Sequence, residues 1–237
     1  MSEPHAPDSL LERISSEESL ELEYAHLERR ECELLSRHLG VRGGDVVSVG
    51  CGWRPGRHLF PAPAFRIVGV DIDGNRVRSV VDSGAADDGV VASAGALPFD
   101  DASFDVVLYR LVLHHVAYAQ SLAPCFEEAA RLLRPGGALV AIEPCLWHPV
   151  GIGLALANRI GAGVRMHGTP DDVPLAPRAL RRLARSAGLR PELFALTYAW
   201  RRLPQPLQRA LWRLDRLGER PVLRSAGHTL LLIAHRD

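Results

Sequence analysis

Residues 17–39 set Leu20, Leu22, Leu27, Leu34 and Leu35 among many Glu and Arg residues, which predicts an amphipathic helix closed by Gly40 and the turn Arg42-Gly43-Gly44. The period then changes. Val46-Val47-Ser48-Val49 is a short apolar run ended by glycine, and Ile67-Val68-Gly69-Val70-Asp71 is a second one ended by an acid, as expected of buried parallel strands. Further strands are predicted over 89–92, 104–109 and 138–143, with helices over 74–83 and 121–133 between them. Such alternation implies a parallel sheet with helices on both faces. Beyond Pro149 follow a Gly/Ala-rich segment, a helix over 177–187, a strand over 192–200, a helix over 206–217 and a last strand over 228–234. The reading is one domain over 17–237. Residues 1–16 form a disordered or loosely attached lead-in, the first helix caps the site, and an insertion over about 148–176 covers its substrate side.

Composition narrows the class. With 237 residues, 47% of them hydrophobic, the chain can build a sizeable core. Apolar runs such as 226–234 are interrupted or far shorter than the roughly 20 residues that cross a membrane. Residues 1–14 lack the basic-then-apolar order of a secretion signal. Cys32, Cys51, Cys125 and Cys145 are widely spaced with no Cys-x-x-Cys pair, so neither zinc nor a disulfide framework is expected, and the compartment reads as cytoplasmic and reducing. Net charge is zero, yet all 28 basic residues are arginine, which excludes a Schiff-base or lysine-base mechanism. The charge is uneven: 13 Arg face 22 acids over 1–149, and 15 Arg face 6 acids over 150–237.

Candidate chemistry gathers where strands end. The first strand runs into Gly50-Cys51-Gly52-Trp53-Arg54-Pro55-Gly56, where glycines let backbone turn sharply and approach a cofactor. Asp71 follows about 20 residues later, placed to accept from both ribose hydroxyls of an adenosine-containing ligand, or to cap the helix over 74–83. S-adenosylmethionine (SAM) and nicotinamide dinucleotides share this layout.

The middle of the chain separates them. Ala96-Leu97-Pro98-Phe99-Asp100-Asp101-Ala102-Ser103-Phe104-Asp105-Val106-Val107, then Leu113-His114-His115-Val116, then Leu132-Leu133-Arg134-Pro135-Gly136-Gly137-Ala138-Leu139 together resemble the class I, Rossmann-like SAM-dependent methyltransferases of the small-molecule group. The resemblance implies an α/β three-layer sandwich whose seven-stranded sheet has the order 3-2-1-4-5-7-6 with strand 7 antiparallel. It also implies SAM as cofactor and S-adenosylhomocysteine as product. Carried over by position, Gly50, Cys51, Gly52, Trp53 and Arg54 face the methionine part, Asp71 and Ile72 the ribose, Ser93, Ala94 and Gly95 the adenine, and Arg110 and Leu111 the sulfonium region.

The chain departs from the family's pattern at three points. Ser48 stands where an acid is usual in the first strand. Ser93 stands where an Asp commonly accepts from the adenine amino group. The glycine loop is longer than usual, and the helix after it is cut short by Pro61 and Pro63, so the methionine end is expected to be held differently, with Arg54 or Arg57 placed either to pair with its carboxylate or to stand exposed on the loop.

Methyl transfer from a sulfonium is an in-line displacement, in which positioning contributes up to roughly 7–11 kcal/mol and a base is needed only for a protonated acceptor. Candidate bases are His114 and His115 after the fourth strand and His148 after the fifth, with Glu143 and Trp147 also offered to the acceptor. Tyr24 and His26 are placed to close over the site or to pack in the core. Asp171-Asp172 reads as a turn and helix entry, and no metal is predicted.

The helix over 206–217 puts Leu207, Ala210, Leu211, Leu214 and Leu217 on one face and Arg209, Arg213 and Arg216 mostly on the other. That pattern suits packing on a sheet or, with the basic C-terminal third, contact with an anionic or lipid-like acceptor. The expected function is methyl transfer to O, N or C of a small metabolite, lipid or glycan, with no nucleic-acid partner. The alternatives are SAM or S-adenosylhomocysteine binding without transfer, and a nucleotide-dependent oxidoreductase.

Overall fold

In the computed structural model, which describes residues 17–162 and 173–237, the apolar runs pair into one sheet. Its strands are β1 (Gly44–Val49), β2 (Phe65–Asp71), β3 (Asp88–Val91), β4 (Phe104–Arg110), β5 (Leu133–Pro144), β6 (Arg190–Thr197) and β7 (Thr229–His235), in the order β3-β2-β1-β4-β5-β7-β6. β1 to β5 pair in parallel, while β7 runs antiparallel to both β5 and β6. The expected fold class is the observed one.

Helices α1 (Glu17–His38), α2 (Gly74–Asp82), α3 (Leu113–Ala119), α4 (Ala123–Leu132), α5 (Pro149–Arg159), α6 (Pro177–Ser186) and α7 (Gln205–Trp212) surround the sheet. On one face Phe126 and Leu132 of α4 and Leu180 of α6 pack with Val47, Tyr109 and Leu139. On the other, Leu34 and Leu35 of α1 join Phe60, Ile67, Val106, Phe194 and Ile233. Burial from both sides is why β1, β4 and β7 read as continuous apolar runs rather than alternating ones.

Five expectations change. Residues 50–64 hold no helix: Pro55, Pro61 and Pro63 remove donors and fix φ, so the β1–β2 crossover runs as turns with Phe60 as its buried anchor. The Leu-rich half of α1 covers that face of the sheet instead. The Gly/Ala-rich segment after Pro149 forms α5, with His148 accepting from Val150 N at its start. β6 stops at Thr197, and β5 begins at Leu133, with Arg134–Gly137 looped between the pairs Phe104–Leu133 and Val106–Ala138. The predicted 206–217 helix breaks after Trp212 into a 3-10 turn, Asp215–Glu219. Its apolar face does not pack on the sheet, because Leu207 and Leu214 are 47% and 46% exposed. Within α7 the buried residue is Gln208, whose amide donates to the carbonyls of Arg201 and Leu203 and so ties α7 to the turn after β6.

Candidate active site

Strand order reverses between β1 and β4, and the loops at the carboxyl ends of β1 to β5 meet along one edge, where this kind of sheet takes its ligands. At Gly50 φ is +64°, and a Cβ would lie 2.2 Å from Val112 Cγ2, so only glycine fits. Two residues on, Gly52 N donates to Asp71 Oδ2 at 3.0 Å, and a Cβ at Gly52 would meet nothing within 4 Å. Bare backbone therefore borders open space beside the carboxylate. Asp71 Oδ1 accepts from Asp73 N at 3.0 Å, which leaves each oxygen a further lone pair for a ribose hydroxyl. The cap of α2 is Asp73, accepting from Asn75 N at 2.9 Å, so capping that helix does not account for Asp71.

The other cofactor candidates divide by exposure. Trp53 and Ile72 stand 64% and 78% exposed on either side of Asp71 in sequence, and Ser93 is exposed after β3, with Ala94 and Gly95 half-buried beside it. Cys51 turns inward against Val70 and Gly69, and burial, with Asp71 nearby, pushes its thiol up to about 12. Only its backbone serves the loop. Arg57 is spent within the fold, donating to the carbonyls of Ala85, Phe60 and Phe65 and pairing with Asp87. Arg54 instead reaches α1, 3.2 Å from Glu28 and over the ring of Tyr24.

At the end of β4, Leu111 adopts φ +57°, a left-handed conformation that a branched side chain takes only where the surroundings impose it. Its N donates to Ile142 O of β5 at 2.9 Å. The chain then enters α3, whose first donors converge on one carboxylate. Glu143, fully buried, accepts from Val112 N at 3.0 Å, Leu113 N at 2.8 Å and His114 N at 3.3 Å, and pairs with His114 Nδ1 at 2.6 Å. Glu143 is thus a clamp on α3, not a group offered to the acceptor. Its contact assigns the ring proton of His114 to Nδ1.

Next to this clamp lies a cavity of about 630 Å³. His114 and His115, with ring centroids 4.0 Å apart, line it together with Arg110, Leu111, Ile142 and Pro144 from the sheet edge and Val150 and Leu154 from α5. Its roof is the face of α1 that carries Tyr24, Leu27 and Glu31, three and four residues apart. Arg110 anchors that roof: its guanidinium lies 3.1 Å from Glu31, which also holds His58 at 2.9 Å. Burial would raise the Glu31 carboxyl, but His58 and Arg110 outweigh it and hold it below the ordinary range. His148 is outside the lining. Its ring caps α5 and meets His228 edge-on at 5.2 Å. His26 also faces elsewhere, stacked on Trp212 and 2.7 Å from Asp215.

Sequence reading missed Trp200, Arg201, Arg202, His228 and Thr229 of the lining, which follow or precede strands without any periodic signal. Leu27 and Glu31 were findable, being on the helical face of Tyr24. The Asp171-Asp172 pair lies outside the described residues. Among those described, no three His, Cys, Asp or Glu side chains converge as a metal-ligand cluster.

A seven-stranded sheet with an antiparallel last strand, a glycine turn after β1 and an acid after β2 define the class I, Rossmann-like methyltransferase architecture. Residues 47–141 match the model of the methyltransferase domain family. The chain is 36% identical over 157 residues to a 27-O-demethylrifamycin SV methyltransferase of Amycolatopsis mediterranei, covering 60% of this chain and 56% of that protein. It is 35% identical over 118 residues to a probable S-adenosylmethionine-dependent methyltransferase of Mycolicibacterium smegmatis, covering 48% and 44%. The chain thus spans about half the length of these relatives. Among solved structures, a SAM-dependent methyltransferase of Thermotoga maritima described as a possible histamine N-methyltransferase superposes with a TM-score of 0.64 over 93% of this chain and 94% of that one. At 14% identity that is a likeness of fold.

Proposed function

We propose that the protein transfers the methyl group of SAM to an O, N or C atom of a small, largely apolar or lipid-like acceptor held in the cavity under α1. The observation that carries this reading is the adjacency of two places along one sheet edge. One is the Gly50–Gly52 backbone with Asp71, suited to a nucleoside. The other is the cavity beyond Leu111 and His114. SAM supplies an electrophilic methyl on sulfonium and departs as S-adenosylhomocysteine. Asp71 orients the ribose, and Leu111 marks the border where acceptor meets methyl. For an acceptor carrying an O–H or N–H, His114 receives the proton at Nε2, and Glu143 holds the ring and stabilises the imidazolium that forms. His115 lines the same wall. Arg54, free of the core and beside Tyr24, is the arginine in reach of the methionine carboxylate.

Calorimetric titration with S-adenosylhomocysteine tests the cofactor. Saturable binding is expected, weakened roughly 10- to 100-fold in Asp71→Ala, the loss of hydrogen bonds to a charged group. Binding of NADH with no response to S-adenosylhomocysteine would overturn the reading. Incubation with methyl-labelled SAM and a metabolite extract then identifies the acceptor from the labelled product.

A further inference from the structure

The charges around the cavity do not balance locally. Arg110 is met by Glu31 at 3.1 Å, and both side chains are buried. His114 is met by Glu143. His228, half-buried in the cavity wall, is pushed down to about 3 by burial and by His148 and Arg201, so it is neutral. A further guanidinium, that of Arg201, enters the lining from the turn after β6. Arg201 Nη1 donates to Tyr24 Oη at 3.1 Å, and among the described residues no carboxylate lies within 4.0 Å of its guanidinium. The acid that feels it is Glu23, whose carboxyl accepts from Trp212 Nε1 at 2.9 Å and is raised to about 7 by burial. A carboxyl that is half protonated near neutrality is a poor counter-ion.

A guanidinium in an apolar wall keeps its donors and pays desolvation until an anion meets it. Its planar fork matches the two oxygens of a carboxylate or phosphate. Here it stands beside a phenol hydroxyl from the roof and next to Trp200, with Leu27, Ile142, Val150 and Leu154 lining the rest of the cavity. We propose that the acceptor is an amphipathic anion: a carboxylate or phosphate docks on Arg201 beside Tyr24, and its apolar body extends along the cavity towards Leu111 and His114. This rests on the methyltransferase reading for the word acceptor, but the anion subsite is a property of the cavity itself. Because Tyr24 belongs to α1, an anion seated there also holds the roof down.

The test uses fluorotryptophan-labelled protein saturated with S-adenosylhomocysteine, with the fluorine resonance of Trp200 assigned by Trp200→Phe. Octanoate, octyl phosphate and octanol are titrated in turn. Octanoate or octyl phosphate is expected to shift the Trp200 resonance saturably, with at least about tenfold higher affinity than octanol, the effect of one charge-assisted contact. The order of the two anions tells a carboxylate subsite from a phosphate one. Arg201→Gln should reduce the anions to the affinity of octanol, and Arg201→Lys should keep part of the preference, while both variants bind S-adenosylhomocysteine as the parent does. Octanol binding as tightly as octanoate, an undiminished anion preference in Arg201→Gln, or no Trp200 response to any of the three would each overturn the proposal. If S-adenosylhomocysteine gives no heat while the apo protein shows the Trp200 response, the methyltransferase reading falls and the anion subsite stands.

Discussion

Four donors meeting the Glu143 carboxylate make it the most heavily used acid at the site. Glu143→Gln keeps the shape but brings an amide nitrogen among donors, so a loss of about 1–3 kcal/mol is expected. For a chain of this size that corresponds to a thermal midpoint lower by several degrees, measured by scanning calorimetry. His114→Ala is expected to lower kcat by about 10²- to 10⁴-fold for an O–H or N–H acceptor, with S-adenosylhomocysteine affinity unchanged. An unaltered kcat would remove the base role. Asp71 was legible in the sequence because a strand's end and a spacing mark it. The clamp was not, since Glu143 and the start of α3 are about 30 residues apart and meet only when β4 and β5 pair. Arg201 carries no local mark either, lying in a turn whose position depends on Gln208.

The elements of the sheet were readable because each strand is a short run buried on both faces, a signal carried by the residues themselves. Helices were readable only where one stripe faces the core. α3 is too short to show a period, and α5 is apolar nearly all round, so neither announced itself. The crossover after β1 failed as a helix for a local reason, three prolines, and the consequence fell on α1. That helix is docked along its middle by buried polar contacts: Glu23 to Trp212, His26 to Asp215, and Arg30 to the carbonyl of Asp215. Glu23 makes the docking sensitive to pH. Its folded carboxyl is raised from 4.5 to about 7, so between those values the native state holds a proton that the unfolded chain has lost, and stability falls as pH rises through the window. Glu23→Gln, which retains an acceptor for Trp212, should therefore raise the thermal midpoint relative to the parent at about pH 8 and leave it unchanged at about pH 4. Equal effects at both would show that the carboxyl does not titrate there.

At the scale of the molecule, the uneven charge along the sequence foretold a basic C-terminal third, and the structure gives part of it a place. Arg178, Arg181, Arg182 and Arg185 border one shallow concavity on α6, while Arg201 and Arg202 line the cavity under α1. Sheet order was legible in advance only as what the resemblance over 96–139 implies, and the glycine edge because Gly50 and Asp71 end two short apolar runs. The cavity was not, because it is assembled from α1, α5 and the turn after β6, three pieces far apart in the chain.

α1 touches both places where ligands are expected: Glu28 holds Arg54 of the glycine loop, and Tyr24 and Glu31 hold Arg201 and Arg110 of the cavity. Two sites that share one wall can be coupled through it, and thermodynamics makes any such coupling reciprocal. Octanoate is expected to tighten S-adenosylhomocysteine by the same factor by which S-adenosylhomocysteine tightens octanoate, about 5-fold or more. Arg54→Gln should shrink both factors together, as read by paired titrations. With positive coupling, the shared helix makes occupancy mutual: whichever molecule arrives first lowers the cost of admitting the second, and the loss of either loosens the hold on the other.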